Sequence, residues 1–478
     1  MKLGALLAVI VQLLASCVPP TPSGPPNAQM PPNYRGLAAT GTSLGSVQWR
    51  KLYDDPVLQD LIVRALRRNF NIELAYASIL EAAANLGITA ANQSVFVNGA
   101  ISAPYEVITG GNKPGSIPKT QFSPEAGIEA SYQVDLFGKL ASATGAARDQ
   151  LLATDAAKDT VLATVVSQVA TAYFQLLELD EVMAFTKDAV ASRAEGVRLM
   201  RLRVEGGVSS MQDLRQAQQA LLEVTQNVPT LRQDLAQTEN ALSVLIGDYP
   251  HPIARGLPLN AQVAMPLIPP AGVSGELLER RPDIRQAEYT IATAAGNVDV
   301  ARKLLYPQIT LGASAAVAGQ QSSGLYPNLP PVLAAFTKLN GVFFGPLGVF
   351  EVLPQLLQPI FNGGEIRSQI HLAQADQQQA VISYLQTVDD AFEEVSNDIV
   401  SYNQSRARTV QLGLYLAASL DSVRLAKERY EAGYTSYLEV LNALTRSYQA
   451  QTDFAQARLN ERLALVQLYL ALGGGWQS

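Results

Sequence analysis

Two very long stretches without proline most constrain what this chain of 478 residues can fold into. They run from about Lys139 to Leu202 and from about Glu365 to Arg429, and Ala, Gln, Ser and Thr are frequent in both. About 64 helical residues that rise ~1.5 Å each form a rod of roughly 95 Å, whereas the usual helix has about 11–12 residues. Periodic helices of this length are typical of coiled coils and helical tubes.

An internal tandem repeat places one long stretch in each half of the chain. Arg203–Gly247 aligns without a gap on Arg429–Gly473, an offset of 226 residues, and earlier positions align at an offset of 212. The second half is therefore longer, and the loop around 319–341 accounts for the extra residues. The predicted organisation is a first repeat at 49–247, a proline-rich linker at 248–273 and a second repeat at 274–478.

Each repeat has the same predicted order of elements. A helix of ordinary length comes first, over Asp55–Ala91 and over Ser274–Lys303, and two strands follow it. The long helix comes next, and after a short turn a helix returns to Gly247 or Gly473, since glycine suits the left-handed C′ position. A filamentous coiled coil is the alternative, and the strands between the helices argue against it.

Four strands are predicted, two in each repeat. Ala126–Leu136 and Ile309–Val317 alternate apolar with small or polar residues, Val95–Tyr105 alternates less cleanly, and Gly and Pro interrupt the fourth candidate within Gly345–Phe361. The alternation fits a membrane β-barrel and equally an antiparallel sheet with one wet face. Because a membrane barrel needs at least about eight strands, several chains would share it: two give a filled interior and three give a lumen.

The N-terminus has the pattern of a secretory signal that ends at the only cysteine. Lys2 supplies a positive charge, Leu3–Leu14 is apolar and small residues precede Cys17, which predicts a signal peptide at 1–16. The sequence "LASC" fits a bacterial lipobox, in which the cysteine becomes N-terminal and carries acyl chains. The alternative is an ordinary signal with a chance cysteine. The proline-rich residues 17–48 are expected to form a tether from the lipid.

Composition and motifs exclude several functional classes. No apolar run of 18 residues follows the N-terminus, so transmembrane helices are not expected, and a net charge of −7 without a basic run argues against nucleic acid. "GTSLG" at Gly41–Gly45 lacks the setting of a hydrolase elbow, and the two histidines, His251 and His371, are expected to be structural or solvated. Because no phosphate loop, dinucleotide fingerprint or metal motif occurs, neither catalysis nor a cofactor or metal is expected.

Several stretches of the sequence resemble one family of membrane channels. They read "YDDPVLQDLIVRALRRNFNIELA", "YQVDLFGKL", "LLERRPDIRQAE", "QPIFNGGEIRSQI" and "AGYTSYLEVLNA". They resemble the TolC-like outer-membrane efflux channels, in particular the NodT/OprM-like lipoprotein branch, over nearly the whole mature chain. The resemblance implies a mixed, mainly α fold. Long helical hairpins would form a periplasmic α-barrel, and each chain of a homotrimer would give four strands to a twelve-stranded transmembrane β-barrel.

The resemblance also implies a function and a location. The chain is expected to be lipid-anchored in the outer membrane, to extend into the periplasm and to release drugs or other small molecules. Its partners would be a periplasmic adaptor and an inner-membrane pump of the RND type, which supplies the energy. Two alternatives stay open: an outer-membrane channel of another export machine, such as type I-like secretion, and a periplasmic helical scaffold that is not a channel.

Similar turn sequences occur in the two helical hairpins, "EGGVSSMQDL" in the first and "EAGYTSYLEVL" in the second. In both copies an acid follows a serine by three residues, which is the spacing of a capping box. The sequence therefore predicts that Ser210 with Asp213, and Ser436 with Glu439, cap the two returning helices.

The resemblance assigns both turns to periplasmic tips. It implies that the second-repeat tip lines the closed mouth of the channel and that Tyr430, Glu439 and Asn442 form a gate, with Asp213 as the first-repeat counterpart. Relatives often have two aspartates where this chain has Glu439 and Asn442. The adaptor is expected to dock on small residues at the tips, namely Gly206, Gly207, Ser209, Ser210, Gly433, Thr435 and Ser436.

Overall fold

The computed structural model of the chain describes residues 24–26, 31, 34, 43–102, 105–108, 119–122, 125–263, 275–318 and 347–476. The predicted signal peptide, Cys17 and the loop around 319–341 lie outside these residues. The tether predicted at 17–48 and the linker predicted at 248–273 are described only in part.

Ten α-helices lie in the described part of the chain. They are α1 (Trp49–Leu52), α2 (Pro56–Arg68), α3 (Phe70–Ala91), α4 (Lys139–Glu205), α5 (Met211–Thr225), α6 (Asn227–Leu245), α7 (Glu276–Arg280), α8 (Pro282–Lys303), α9 (Glu365–Glu431) and α10 (Tyr437–Ala471). Helices α4 and α9 have 67 residues each. The two long helices predicted from the sequence are therefore confirmed.

The described strands are β1 (Phe96–Ser102), β2 (Tyr105–Ile108), β3 (Lys119–Phe122), β4 (Glu125–Val134), β5 (Gln308–Ala318) and β6 (Leu347–Leu357). An antiparallel sheet has the order β1-β4-β5-β6, and β2 pairs with β3. The four predicted strands are confirmed. The β2–β3 pair is an addition, because strands of only four residues show too little alternation to be predicted.

The register of the four-stranded sheet separates an apolar face from a more polar one. One row across the sheet consists of Val97, Ala130, Ala313 and Val352, and the next consists of Asn98, Glu129, Ser314 and Glu351. Pro354, which interrupts the fourth predicted strand, lies in β6 opposite Leu311. Strand β6 is an outer strand among the described strands, and outer strands are where a sheet tolerates proline.

The described chain forms two compact units, and both repeats contribute to each. The sheet unit includes residues 81–151 and 290–380, and the hairpin unit includes 25–80, 152–289 and 381–478. In the sheet unit, the ring of Phe137 stacks on that of Tyr306 with their centroids 4.9 Å apart. Nearby, Lys303 Nζ donates hydrogen bonds to Gly138 O (3.2 Å) and Ser142 Oγ (2.6 Å). These contacts join the end of α8 to the start of α4.

A buried carboxylate fixes the start of α2 in the hairpin unit. Asp55 is fully buried and is the N-cap of this helix. Its oxygens accept hydrogen bonds from Val57 N (2.8 Å), the Tyr173 hydroxyl (2.9 Å), Leu257 N (3.0 Å) and Gln262 Nε2 (2.6 Å). A buried acid is tolerated only when it is well hydrogen-bonded, so Asp55 ties α2, α4 and the linker together.

The helix predicted over Asp55–Ala91 is wrong in one respect, because it is broken at Asn69. This residue is extended, with φ −70° and ψ 127°, and ends α2 by donating its N–H to Ala65 O. Its side-chain Oδ1 accepts the Asn71 N–H (2.9 Å) and so caps α3. Asparagine suits this role because its short side chain competes for backbone groups.

Two further helices are broken where the prediction had them continuous. The helix predicted over Ser274–Lys303 divides at Arg281, which is extended because proline follows it. The helix predicted to return to Gly247 divides at Gln226 into α5 and α6. Pro229 explains this second break, since its ring crowds the carbonyl four residues earlier and it lacks an N–H.

Left-handed glycines end both helices of each hairpin. Gly207, Gly247, Gly433 and Gly473 have φ values of +71°, +74°, +78° and +79°. The N–H of Gly247 bonds to Val244 O (3.0 Å), and the next N–H bonds to Ser243 O (2.9 Å). The other three ends repeat this pattern, which is the Schellman motif. The C′ positions predicted for Gly247 and Gly473 are confirmed.

Within the described residues, two helical stretches are long and apolar enough to cross a membrane by length and composition, Pro56–Ala91 and Lys139–Glu205. In the second, 56% of the apolar window is buried, as in a core helix. A core helix passes the same test, so the expectation that no helix spans a membrane stays a prediction.

Candidate functional site

The two hairpin tips have the same backbone. In the first, α4 ends at Glu205 and α5 begins at Met211; in the second, α9 ends at Glu431 and α10 begins at Tyr437. The N–H groups after the two glycines bond to Arg203 O and to Arg429 O, both at 2.8 Å. The repeated Glu-x-Gly sequence therefore produces the same closed turn twice.

The first tip contains the predicted capping box. Ser210 Oγ accepts the Asp213 N–H (3.1 Å), and Asp213 Oδ2 accepts the Ser210 N–H (3.0 Å). The same carboxylate oxygen also accepts the Ser210 hydroxyl (2.8 Å). The carboxylate of Asp213 is thus occupied with the start of its own helix, where the helix dipole also favours a negative charge.

The second tip lacks a capping box, and that prediction is wrong. Ser436 occupies the N-cap position without a side-chain hydrogen bond. Glu439 instead accepts a hydrogen bond from Arg429 Nη1 (3.1 Å) and another from the Thr435 hydroxyl. Glutamate is one methylene longer than aspartate, and this reach lets its carboxylate bind across the turn to the end of α9.

The two tips contact each other through aromatic rings. The guanidinium of Arg203 in the first tip lies 5.1 Å from the ring centroid of Tyr430 in the second, which is within cation–π range. Tyr430 packs in turn on Tyr437, with the centroids 5.3 Å apart. Burial, together with the neighbouring Tyr430, raises the pKa of Tyr437. Both aromatic residues are particular to the second repeat, because Val204 and Met211 occupy the equivalent positions in the first.

Tyr437 joins the apolar cores of both hairpins. It packs against the first-repeat cluster of Val197, Met200, Leu214 and Ala217 and against the second-repeat cluster of Ala426, Val440 and Ala443. Its hydroxyl lies so close to Gly196 of α4 that a Cβ at this glycine would collide with it. The side chain of Tyr437 is therefore fixed between the hairpins.

A buried arginine above the tips makes a second link between the hairpins. Arg193 is only 2% exposed, and its guanidinium donates to Ala220 O on α5 (2.5 Å) and to Thr445 Oγ1 on α10 (3.1 Å). Burial lowers its pKa, and Glu223 at 3.7 Å acts in the opposite direction. Arg193 thus holds three helices of the two hairpins in one arrangement.

The structure brings some of the predicted gate residues together and not others. Tyr430 and Glu439 lie half-buried at the second tip, whereas Asn442 is exposed on α10 and Asp213 is engaged in its cap. The predicted docking residues lie at the tips, where Gly206, Gly207, Ser210, Gly433 and Ser436 are exposed and Ser209 and Thr435 are half-buried.

Sequence reasoning missed three residues of this site: Arg429, which pairs with Glu439, Arg203, which covers Tyr430, and Tyr437, which joins the cores. A signal for the two arginines was present, since they are identical at equivalent positions of the repeats. No sequence pattern distinguishes their different partners, because those depend on neighbouring helices.

Comparisons with known proteins agree with this architecture. The family model for the outer membrane efflux protein matches residues 61–248 and 273–474. The chain is 28% identical to the probable outer membrane lipoprotein SilC of Salmonella typhimurium, with 99% of both chains covered. It is 29% identical to the probable efflux pump outer membrane protein TtgC of Pseudomonas putida, covering 98% of this chain and 95% of the relative.

A solved channel structure has the same fold. The open state of the MtrE outer membrane channel of Neisseria gonorrhoeae superposes with a TM-score of 0.81 at 27% identity, covering 95% of this chain and 97% of that one. The two segments matched by the family model correspond to the two repeats and span most of the sequence. The chain therefore belongs to the outer membrane efflux protein family and is an efflux channel of the outer membrane.

Proposed function

We propose that three copies of this chain form the exit duct of a tripartite efflux system. The observation that carries the proposal is the four-stranded sheet, whose outer strands β1 and β6 pair with no further strand in the described part of the chain. A lipid bilayer offers no water to satisfy a free strand edge, so a sheet in the membrane must close on itself. Pairing β6 of one copy with β1 of the next, three times, closes a barrel of twelve strands.

The two faces of the sheet support this arrangement. The row of Val97, Ala130, Ala313 and Val352 suits lipid, and the row of Asn98, Glu129, Ser314 and Glu351 suits a water-filled lumen. A barrel of about eight strands, from two copies, would be filled by side chains. Three copies leave the open lumen that an export duct needs.

The second tip is proposed as the periplasmic gate. Glu439 is held across the turn by Arg429 and Thr435, and Tyr430 lies beneath the Arg203 guanidinium. A salt bridge and a cation–π contact at the surface are individually weak, so together they can hold a closed state that a partner is able to open. Asn442 would line the same mouth, and Asp213 would serve as a cap.

The partners follow from the proposed assembly. A periplasmic adaptor would dock on the exposed tip backbone around Gly206, Gly207, Gly433 and Ser436, with Ser209, Ser210 and Thr435 beside it. An inner-membrane pump, of the RND type, would supply the energy, since no catalytic or nucleotide-binding motif is expected in the channel itself. Relatives are named for the efflux of cations, toluene and antibiotics, and this variety among similar channels supports the proposal that the pump sets the cargo.

Lipidation of Cys17 completes the proposal. Acyl chains on this residue would anchor the N-terminus in the membrane that also holds the barrel. Labelling cells with a radioactive fatty acid should mark the wild-type protein and not Cys17→Ser. Because the barrel anchors the chain independently, the variant should still require detergent for extraction, and its release into the soluble fraction would instead favour a periplasmic scaffold.

The assembly is tested by measuring mass and conductance on the same sample. In mild detergent the protein should have the mass of three chains, and in planar bilayers it should open a channel. A stable monomer that inserts and conducts would contradict the shared barrel. To separate drug efflux from secretion, the gene is expressed with an RND adaptor and pump in a strain that lacks its own outer-membrane channel, where restored drug resistance is expected.

A further inference from the structure

In each repeat, an extended residue between two helices contacts the end of the returning helix. This contact, at Asn69 in the first repeat and Arg281 in the second, is called the root joint. Asn69 separates α2 from α3, and Arg281 separates α7 from α8; both are extended and both donate their N–H to the carbonyl four residues earlier. The side chain of each then reaches the end of the returning helix of its own repeat. Asn69 Nδ2 donates to Leu245 O (2.8 Å), and Arg281 Nη1 donates to Ala471 O (3.0 Å). The repeat offsets of 212 and 226 make both pairs equivalent.

A glycine in close contact with the preceding helix ends the returning helix in both repeats. A Cβ at Gly247 would collide with Arg68 O, and a Cβ at Gly473 would lie 3.0 Å from Arg280 O. Since these glycines end the returning helices with positive φ, a side chain is disfavoured by conformation at both positions, and at Gly247 it is also excluded by contact. The returning helix of each hairpin is thus fixed at its root.

The two joints differ in charge. Arg281 also donates to both carboxylate oxygens of Asp283 (3.0 and 2.6 Å) and, through Nη1, to Glu394 Oε2 (2.7 Å). Glu394 lies on α9, the outgoing helix of the second hairpin, whose far end carries the Arg429 and Tyr430 of the tip. Arg281 therefore bonds to both helices of the second hairpin, α9 and α10.

Among the described residues, the first joint has no equivalent arm. The residue equivalent to Glu394 is Gln168, which is exposed on α4. The Oδ1 of Asn69 accepts only the nearby Asn71 and Ile72 N–H groups within the described residues. The outgoing helix of the first hairpin is consequently not tied to its root joint by a charged side chain.

A cavity of about 180 Å³ lies beside the charged joint, and Thr160, Thr164, Arg281, Glu394, Leu470 and Gly473 are among its lining residues. The cavity lies between α4, α9 and α10 and is partly open to solvent, so α9 has room there for a small displacement without a steric clash.

We propose that Arg281 is a positioning residue for closure of the channel: by holding α9 against the end of α10 through Glu394, it keeps the second tip in its closed arrangement. The proposal rests on the function proposed above. Loss of the Glu394 arm frees α9 while α10 stays fixed by Ala471 O and Gly473. A long helix moves as a rigid element, so displacement at the root separates Tyr430 and Arg429 from their partners at the tip.

The test compares two neighbouring glutamates in single-channel recordings of the whole protein. Glu394→Gln removes the charged arm, and Glu393→Gln removes a charge that accepts a hydrogen bond from Asn397 on the same helix. Glu394→Gln should raise the ratio of open to closed time by about three- to tenfold, the factor expected from losing one partly exposed charge-assisted bond in the closed state only. Glu393→Gln should gate like the wild type, and both should keep the thermal stability of the wild-type trimer to within a few degrees.

The recordings distinguish a failure of the proposed channel function from a failure of the role assigned to Arg281. A wild-type protein that never conducts overturns the channel function and this proposal with it. A wild type that conducts, together with a Glu394→Gln variant that gates like Glu393→Gln, leaves the channel intact and overturns the role of Arg281. Arg281→Met removes the bonds to α9 and to α10 together. If Arg281→Met does not assemble, Glu394→Gln still tests whether Arg281 acts in closure.

Discussion

The two hairpin tips are built on one backbone and use it differently. Both turns close on a left-handed glycine and a Schellman pair of hydrogen bonds. In the first, the acid Asp213 binds the start of its own helix, whereas in the second Glu439 binds Arg429 of the preceding helix. The first acid is a local cap, and the second is a link between two helices.

The comparison shows how a duplicated turn acquires a second role through few substitutions. The contacts differ where aspartate is replaced by glutamate at the cap and valine by tyrosine at the position of Val204 and Tyr430. Arg203 and Arg429 are equivalent, yet one covers an aromatic ring and the other pairs with an acid. The backbone is set by glycine and register, and the contacts are set by side-chain length and neighbours.

The largest effect is expected from giving the second tip the side chains of the first. Tyr430→Val with Glu439→Asp removes the ring beneath Arg203 and the reach to Arg429. Two weak contacts of on the order of 1 kcal/mol each shift a two-state ratio by about tenfold or more. The double variant should therefore let vancomycin enter intact cells and should lengthen channel openings in planar bilayers.

The reciprocal exchange is the control for this experiment. Val204→Tyr with Asp213→Glu gives the first tip the side chains of the second without removing any contact of the proposed gate. It should leave vancomycin exclusion unchanged. If both double variants admit the antibiotic equally, the tips act symmetrically and the second has no special role in closure.

Helix α4 has a buried glutamate at a position where α9 has a glutamine, and the next prediction concerns this glutamate. Glu178 of α4 is only 7% exposed, and burial, reinforced by nearby Glu181, raises its pKa to about 7. The equivalent residue of α9 is Gln404. Because the folded-state pKa is raised, the associated stability is complete below the ordinary pKa of 4.5 and is lost as the pH rises through about 7.

Glu178→Gln should accordingly stabilise the protein at pH 8 by on the order of 1–3 kcal/mol and have little effect at pH 4. Thermal unfolding of both proteins at the two pH values measures this difference. A gain of the same size at both pH values would show that ionisation of Glu178 is not the cause.

Much of the fold was predictable because its signals are periodic and local. Freedom from proline predicted α4 and α9, alternation predicted four strands, and the repeat placed the glycines that end the hairpins. The break at Asn69 was not predictable, since Asn69 is stabilised by the carbonyl of Leu245, 176 residues away. A residue with ordinary helical neighbours gives no sign of such a contact.

In the candidate site, too, local contacts were predictable and contacts that depend on neighbouring groups were not. Ser210 and Asp213 form the predicted capping box, because everything it needs lies within four residues. The equivalent spacing at Ser436 fails because Arg429 and Thr435 compete for the carboxylate. The sequence shows which groups are close along the chain, and it does not show which acceptor they prefer once the turn has closed.

A smaller effect separates the two acids as caps. Asp213→Ala removes the carboxylate half of the capping box, while Ser210 Oγ can still accept the backbone N–H of residue 213. It should cost about 1 kcal/mol, seen as a lower urea or thermal midpoint without a change in conductance. Glu439→Ala removes no cap, and its ion pair is exposed, with side chains 57% and 43% accessible, so it should cost less. Equal losses of stability in the two variants would contradict the assignment of distinct roles.

The smallest effect concerns the returning helices, which are divided in the first repeat and continuous in the second. Pro229 occupies the third position of α6, and Ala455 is its equivalent within α10. Pro229→Ala restores an N–H that can bond to the Thr225 carbonyl, a gain of about 1 kcal/mol. It also increases the conformational entropy of the unfolded chain, which lowers the unfolding free energy by about 0.4–1 kcal/mol. The two terms nearly cancel because the backbone at Gln226 is already close to helical, with φ −61° and ψ −22°.

Pro229→Ala should therefore change the unfolding free energy by less than about 1 kcal/mol and leave conductance and trimer mass as in the wild type. Hydrogen exchange of the Thr225–Pro229 segment is the sensitive measurement, since a restored helical bond protects the new amide. Loss of the trimer in this variant would mean that the break itself shapes the first hairpin. In that case the division of the returning helix, like the different side chains at the tips, would be a functional difference between the two repeats.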